Sequence, residues 1–285
     1  METSNEFTRC QRNTMLALSL PAFFLIIAAS LAGLLIPGTY YKETINWTSQ
    51  SMSQDVIDLL LICPVLIISI IFTLRGNRIA LTIWGGTNLY LIYTFLIYCF
   101  DIHFNRLFLV YCMILGLSFY SFLYFMFLTL NKPVQDFTDN RVIVKVIAIY
   151  FIVISCLFYF LWLAKIIPSI IEHTIPTDLA ETGLITNPVH VIDIALLLPG
   201  LFLTGILLLR KQYIGFFLAP VLLVFCVLMD ITIAGLTIGM KESGIETNYS
   251  IVVVMGVLAL SSIFLFVLYF IRLKSNNHSG KGTIK

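Results

Sequence analysis

Eight long apolar segments constrain the fold of this chain more than any other feature. Each is roughly 20 residues long, enough for a helix to cross about 30 Å of hydrocarbon. With 59% hydrophobic and only 11% charged residues, the chain also has too few polar side chains to cover a water-soluble globule. We therefore predict an all-α integral membrane protein with eight transmembrane helices. They lie at residues 14–37, 55–74, 79–100, 106–130, 142–165, 191–209, 214–240 and 250–272.

The distribution of lysine and arginine predicts how the chain is oriented. Basic residues collect in cytoplasmic loops, and an even number of spans places both termini on one side. If that side is cytoplasmic, it holds 13 of the 17 basic residues, and the opposite side holds four. The prediction is a multi-pass protein of the cytoplasmic membrane with both termini inside. Residues 1–13 would form a cytoplasmic N-terminus and residues 274–285 a cytoplasmic polar tail.

Part of the sequence occurs twice, at a constant separation of 135 residues. Ten of 25 positions are identical between residues 55–79 and residues 190–214. The most informative pairs are Asp58 and Asp193, Pro64 and Pro199, and Arg75 and Arg210. This pattern predicts a parallel 4+4 duplication, with repeats at 14–131 and 142–273 related by a pseudo-twofold axis along the membrane normal. Coincidence among similar aliphatic helices is the alternative.

Carboxylates inside the predicted spans are the first candidates for a functional site, because charge is costly in hydrocarbon. Asp58 and Asp193 would lie about one turn inside the extracytoplasmic starts of their helices, and His190 lies on the same helix face as Asp193. Asp230 would lie in the outer half of the membrane. The alternative is that Asp58 and Asp193 only cap their helices by accepting hydrogen bonds from free backbone N–H groups.

Further polar residues are predicted at the same depth as these aspartates. They are His103 and Asn105 in the turn "DIHFN", and Tyr90, Tyr93 and Tyr111 on the third and fourth spans. We expect a ligand- or ion-binding pocket open to the extracytoplasmic side, with Asp58 and Asp193 facing each other across the pseudo-twofold axis. A tyrosine hydroxyl or His103 is the expected partner of Asp230. Pro64 and Pro199 would kink their helices, or would simply be tolerated there as membrane prolines often are.

The long extracytoplasmic loop at residues 166–190 contains "PSIIEHTI" and "PTDLAETGL", which could form short interfacial helices covering the pocket. Metal binding is left open. The available ligands would be His103, His190, Asp193, His173 and Glu172, but no compact zinc motif is present. No cofactor is expected, because the sequence contains none of the phosphate- or dinucleotide-binding fingerprints.

Two further stretches are "FNRLFLVY", from Phe104 to Tyr111, and "NPVHVIDIALLLPG", from Asn187 to Gly200. Through them the chain resembles a group of uncharacterised bacterial polytopic membrane proteins. The resemblance implies a bacterial cytoplasmic membrane and assigns no activity or functional residue.

Together these features favour a transporter or permease-like protein that binds a small solute or cation. One alternative is a membrane-embedded enzyme or lipid-binding protein that uses an Asp/His cluster at the outer leaflet. Another is a receptor or assembly protein without transport. A non-enzymatic role is favoured, because motifs of nucleophilic catalysis are missing. The lipid bilayer is a partner, the absence of a basic run excludes nucleic acid, and the oligomeric state is not constrained.

Overall fold

A computed structural model describes the backbone of residues 7–130 and 141–279 and, within these ranges, the side chains up to residue 271. All regular elements of this described part are helices. Eight of them are long and apolar enough to span a bilayer, which confirms the predicted membrane class. They are α1 (Arg9–Leu35), α2 (Ile45–Leu74), α3 (Arg78–Asp101), α4 (Phe108–Leu130), α5 (Arg141–Glu172), α6 (Pro188–Leu209), α7 (Tyr213–Glu242) and α8 (Ser250–Ser279). Residues 1–6 of the predicted N-terminus and 280–285 of the predicted tail lie outside the described residues.

The connections between helices lie at two opposite ends of the bundle. We call the end that holds the start of α1 and the turns at 75–77 and 210–212 the terminal face, and the other end the distal face. At the terminal face, the Tyr213 hydroxyl donates to the carbonyl oxygen of Leu130. At the distal face, hydrogen bonds join Lys42 to Phe104, Thr44 to Thr182, and Ser49 to Ser243. Successive long helices therefore run in alternating directions, as a multi-pass protein requires.

The second helix begins ten residues earlier than the predicted start at residue 55. Thr44 caps it, accepting a hydrogen bond from the backbone N–H of Trp47, and the helix begins at Ile45. The polar stretch that follows is helical because Ser49, Ser51 and Gln54 face the protein interior rather than lipid. The hydropathy of this stretch predicted a loop, and that prediction was wrong.

Helices α2 and α6 both contain a wide π-helical turn ahead of their proline. The turns cover Asp58–Ile62 and Asp193–Leu197. The residue after each turn, Cys63 or Leu198, donates its backbone N–H to the carbonyl oxygen of the aspartate five positions earlier. The proline is the next residue in both helices. Because proline has no N–H, it cannot continue the regular ladder, and such bulges often accompany functional sites.

Helices α3 and α7 form the centre of the bundle. In the most apolar 18-residue segment of each of these two helices, about two thirds is buried inside the protein. The corresponding share is 39% or less in the other six spans. They approach closely at Gly86, where an added Cβ would lie 2.9 Å from the Val221 carbonyl oxygen. Around them, α1 packs against α2 and α4, which in turn pack against α3. On the other side, α6 and α8 pack against α7, and α5 packs against α6 and α8.

The long loop predicted at residues 166–190 is partly helical. The stretch "PSIIEHTI" largely continues α5 to Glu172, so it is not a separate interfacial helix. The stretch "PTDLAETGL" forms a short helix at Thr177–Thr182, as predicted, and ends at Gly183 with φ 72°. This short helix lies against the start of α2 through the hydrogen bond from Thr44.

Candidate functional site

The first half of α2 has a buried polar face. Its residues recur every three or four positions, so they lie on one side of the helix. They are Ser51, Gln54, Asp55 and Asp58. Asp58 is the fourteenth residue of α2, far from the free N–H groups of the first turn. The interpretation of Asp58 as a helix cap is therefore wrong, and Thr44 has that role.

Asp55 is at the centre of a tyrosine cluster near the distal face. The Tyr40 hydroxyl donates to Asp55 Oδ2 at 2.7 Å, and the Tyr98 hydroxyl donates to Oδ1 at 3.2 Å. Gly33 on α1 makes room for this contact, because an added Cβ would collide with the Asp55 carboxylate. Burial, and then the neighbouring Asp55 charge, raise the pKa of Tyr40 well above its ordinary value. Tyr40 therefore stays a hydrogen-bond donor at neutral pH.

Asp58 is part of a second set of hydrogen bonds that reaches from α2 through α3 to α7. Gln54 Nε2 donates to Asp58 Oδ1 and to the Tyr90 hydroxyl, each at 2.9 Å. The Tyr90 hydroxyl also lies 2.8 Å from Thr232 Oγ1 on α7. This set links the two halves of the bundle at its centre.

Asp193 is also held by a tyrosine of α3. The Tyr93 hydroxyl donates to Asp193 Oδ1 at 3.0 Å, and Trp162 Nε1 donates to Oδ2 at 2.9 Å. The His190 ring lies against Trp162, with 4.5 Å between ring centroids, and its Nε2 is 3.8 Å from Asp178. Asn187, not Asp193, caps the helix. Asp58 and Asp193 therefore do not bind each other directly. Asp58 is linked to α3 through Gln54, and Asp193 is linked to α3 through Tyr93.

Asp230 has no partner for one of its oxygens. Its Oδ2 is buried and accepts no hydrogen bond, so the expected pairing with a tyrosine hydroxyl or His103 is wrong. Cys226 lies one turn earlier on α7, close enough to Asp230 and Asp193 for electrostatic interaction with both. An unsatisfied buried carboxylate oxygen is costly and rare in folded proteins, which marks this position as a candidate binding point.

Of the remaining predicted site residues, two lie away from these aspartates and one lies close to Asp55. His103 is about half exposed, and its Nδ1 lies 2.9 Å from Glu43 at the distal face. Asn105 donates to the Thr39 carbonyl oxygen in the same loop region. Tyr111 packs against the Tyr98 ring at 5.0 Å, and its buried hydroxyl makes no hydrogen bond. Tyr111 therefore belongs to the tyrosine cluster around Asp55, and His103 and Asn105 belong to the surface.

The predicted metal ligands are not gathered at one point. His103 and His190 have different partners, Glu43 and Asp178. Among the side chains that the structure describes, residues 7–130 and 141–271, no three of His, Cys, Asp or Glu are placed to hold a metal ion together.

The electrostatic character of the site is a surplus of acid. Asp55, Asp58, Asp193 and Asp230 are between 1% and 8% exposed. Among the described residues, no lysine or arginine is buried with them. Carboxylates in such surroundings need a proton or a bound cation to neutralise them, since no basic side chain does so.

Sequence reasoning missed five residues of this site: Tyr40, Gln54, Asp55, Trp162 and Thr232. Tyr40 and Gln54 fell in a stretch interpreted as loop, and Asp55 was the first residue of the predicted second span but was not named as a site residue. A usable signal existed, because Thr44 starts a polar pattern with helical spacing that continues to Asp58. Trp162 and Thr232 carried no such signal, since their roles depend on which helices are neighbours.

No family model, curated protein or solved structure matches the chain.

Proposed function

We propose that this protein is a transporter or permease-like protein whose buried aspartates bind a small solute or a cation, including the proton. One observation carries the proposal: four aspartates are buried in the membrane spans without a buried lysine or arginine among the described residues. Carboxylates placed in this way are typical of proton relays and cation sites in membrane proteins.

The aspartates differ in how fully they are satisfied, and this supports a division of roles. Asp55 and Asp58 are three residues apart on one helix face, so two negative charges there would repel each other strongly. A proton or cation shared between them relieves that repulsion. Asp230 has a free oxygen at which an exchangeable ligand could bind, and Asp193 is held in place by Tyr93 and Trp162.

A parallel duplication of a four-helix unit is the second part of the proposal. The two π-helical turns begin at Asp58 and Asp193, 135 residues apart. The following turns each contain a left-handed residue at the same separation, Gly76 with φ 82° and Lys211 with φ 53°. Gly86 and Val221 are also 135 residues apart, and they meet where α3 crosses α7. Contact between equivalent residues is expected at a pseudo-twofold axis, which would run between these two helices.

The duplicated halves supply unequal chemistry around that axis. The position equivalent to Asp230 is Phe95, and the position equivalent to Tyr93 is Leu228. A ligand between the halves would therefore contact an acidic side and an aromatic side. Because the aspartates are almost fully buried, we propose that a relative movement of the halves opens the site to the extracytoplasmic side.

The alternative of a membrane enzyme with an outer-leaflet Asp/His cluster has less support, because His103 and His190 have separate partners. A receptor or assembly role without transport makes a different prediction: ligand binding without flux.

The test is uptake into proteoliposomes, with a panel of solutes and cations and a pH-sensitive dye in the lumen. Asp58→Asn, Asp193→Asn and Asp230→Asn keep the side-chain size but remove the charge. We expect the wild type to transport at least one substrate. The transport rate of each variant should fall at least about tenfold, since each substitution removes a charged ion-binding group.

Glu246→Gln is the matched control, because Glu246 is exposed at the distal face. Absence of flux for the whole panel, together with unchanged thermal stability in every ligand, would refute the proposal.

A further inference from the structure

A basic cavity lies at the terminal face, between the ends of α5, α6 and α7. Its volume is about 180 Å³, well above the room that one water needs. Three basic side chains line it: Arg141, Lys145 and Lys211. They are exposed, and no described carboxylate forms an ion pair with them.

The other walls of this cavity are apolar. They consist of Val144, Leu208, Leu209 and Phe216. Leu209 is 48% exposed at the end of a membrane-spanning helix, so the apolar wall continues onto the surface that faces lipid. A cavity with cationic groups on one side and a lipid-facing apolar wall on the other matches an amphiphile with an anionic head.

The local sequence explains why the three cations converge. Arg141 and Lys145 are four residues apart, and therefore lie on the same face of α5. Lys211 lies in the turn after α6 with a left-handed backbone, φ 53°. Tight packing of α6 on α5 brings that turn beside the start of α5: a Cβ on Gly205 would lie 2.8 Å from the Ala148 carbonyl oxygen.

We propose that this cavity binds the phosphate of an anionic phospholipid headgroup, with the lipid's apolar part against Leu209 and Phe216. Basic pockets between membrane helices at the level of the headgroups are suited to such lipids. This site is separate from the buried aspartates, so the proposal does not depend on transport.

Native mass spectrometry of the full chain in detergent tests the proposal by lipid titration. We expect phosphatidylglycerol to bind more tightly than phosphatidylcholine with the same acyl chains. Lys145→Gln/Lys211→Gln should weaken phosphatidylglycerol binding roughly thirtyfold, because each basic group contributes about a fivefold gain in affinity. Binding of phosphatidylcholine should not change.

Arg12→Gln/Arg75→Gln is the matched control. It removes two exposed positive charges from the same face but outside the cavity, and should leave phosphatidylglycerol binding unchanged. Equal losses in both double variants would refute a specific site, because they would indicate general surface attraction. Equal affinity for both lipids in the wild type would also refute it. A competition titration with inorganic phosphate separates the lipid from the free anion. If phosphate displaces phosphatidylglycerol completely and binds the lipid-free protein, the ligand is free phosphate and the lipid proposal is wrong.

Discussion

At the scale of single residues, the aspartates of this chain have different surroundings despite similar burial. Asp55 accepts hydrogen bonds from two tyrosines, Asp58 from one glutamine, and Asp193 from a tyrosine and a tryptophan. Asp230 has one oxygen without a partner. The presence of Asp58, Asp193 and Asp230 in membrane spans was predictable from hydropathy, but their partners were not, because those come from other helices.

Gly33 provides a test of the contact between α1 and Asp55. Gly33→Ala should destabilise the protein by about 1–3 kcal/mol, because its Cβ would displace Asp55 from Tyr40 in a tightly packed region. Thermal unfolding in detergent measures the effect. Gly116→Ala is the control: an added Cβ there meets nothing within 4 Å, so stability should stay within about 1 kcal/mol of wild type. Equal effects of the two substitutions would contradict the packing of Asp55 against Gly33.

Tyr40 provides a test by pH. Its pKa in the folded protein lies above the ordinary value near 10, so the folded state holds its proton more tightly than the unfolded chain. The stabilisation is therefore fully present below about pH 10 and is lost as the pH rises further. We expect the free energy of unfolding to fall less steeply above about pH 10 in Tyr40→Phe than in wild type.

Tyr41→Phe serves as the comparison for this series, because Tyr41 is 73% exposed. Its pH dependence should match that of the wild type in the same thermal unfolding measurements. A Tyr40→Phe curve that is parallel to the wild-type curve would contradict the buried hydrogen bond to Asp55.

At the scale of helices, α2 is the element that sequence reasoning described least well. Its outer part is polar, so a hydropathy window assigned it to a loop, whereas the helix buries those polar groups against α1, α3 and α7. The spans with continuous apolar sequence were predicted closely; α3, for example, begins at Arg78 against a predicted 79. For the prolines of α2 and α6, either a kink or simple tolerance was predicted; the structure places each proline just after a π-helical turn that starts at an aspartate.

The distal end of α2 can be linked to α7 to test whether these helices move. Ser49 and Ser243 have their oxygens 2.9 Å apart, so Ser49→Cys/Ser243→Cys should form a disulfide under mild oxidation. If the two halves separate to open the site, the oxidised protein should lose substrate flux and recover it on reduction. Each single cysteine variant, treated in the same way, controls for oxidation elsewhere. Unchanged flux in the fully cross-linked protein would contradict opening at this point.

At the scale of the whole molecule, the bundle is organised around α3 and α7, with four helices on each side of the proposed axis. The sequence repeat led to a predicted correspondence between the first four and the last four helices, but it did not predict that α3 and α7 lie at the centre. That position follows from packing. These two helices bury about two thirds of their most apolar 18-residue segment, whereas the other six leave most of theirs unburied.

Orientation can be tested with a membrane-impermeant maleimide. Cys10 is exposed near the start of α1. In a variant with the other five cysteines replaced by alanine, Cys10 should react only after the cells are permeabilised, because basic residues favour a cytoplasmic terminal face. Lys241→Cys, in the same background with Cys10 also replaced, lies toward the distal face and should react in intact cells. The reverse pattern would invert the proposed topology.

The sequence alone determined the membrane class, the number of spans and the aspartates within them, because runs of about 20 apolar residues have few alternatives in a bilayer. The spacing of its aspartates and prolines also led to the prediction of a repeat. Only the tertiary structure decided which polar groups meet. Hydrogen bonds such as Tyr93 to Asp193 and Tyr90 to Thr232 join residues 100 and 142 positions apart. Such pairings depend on which faces of α3 and α7 are packed together, and periodicity within one helix carries no information about the helix beside it.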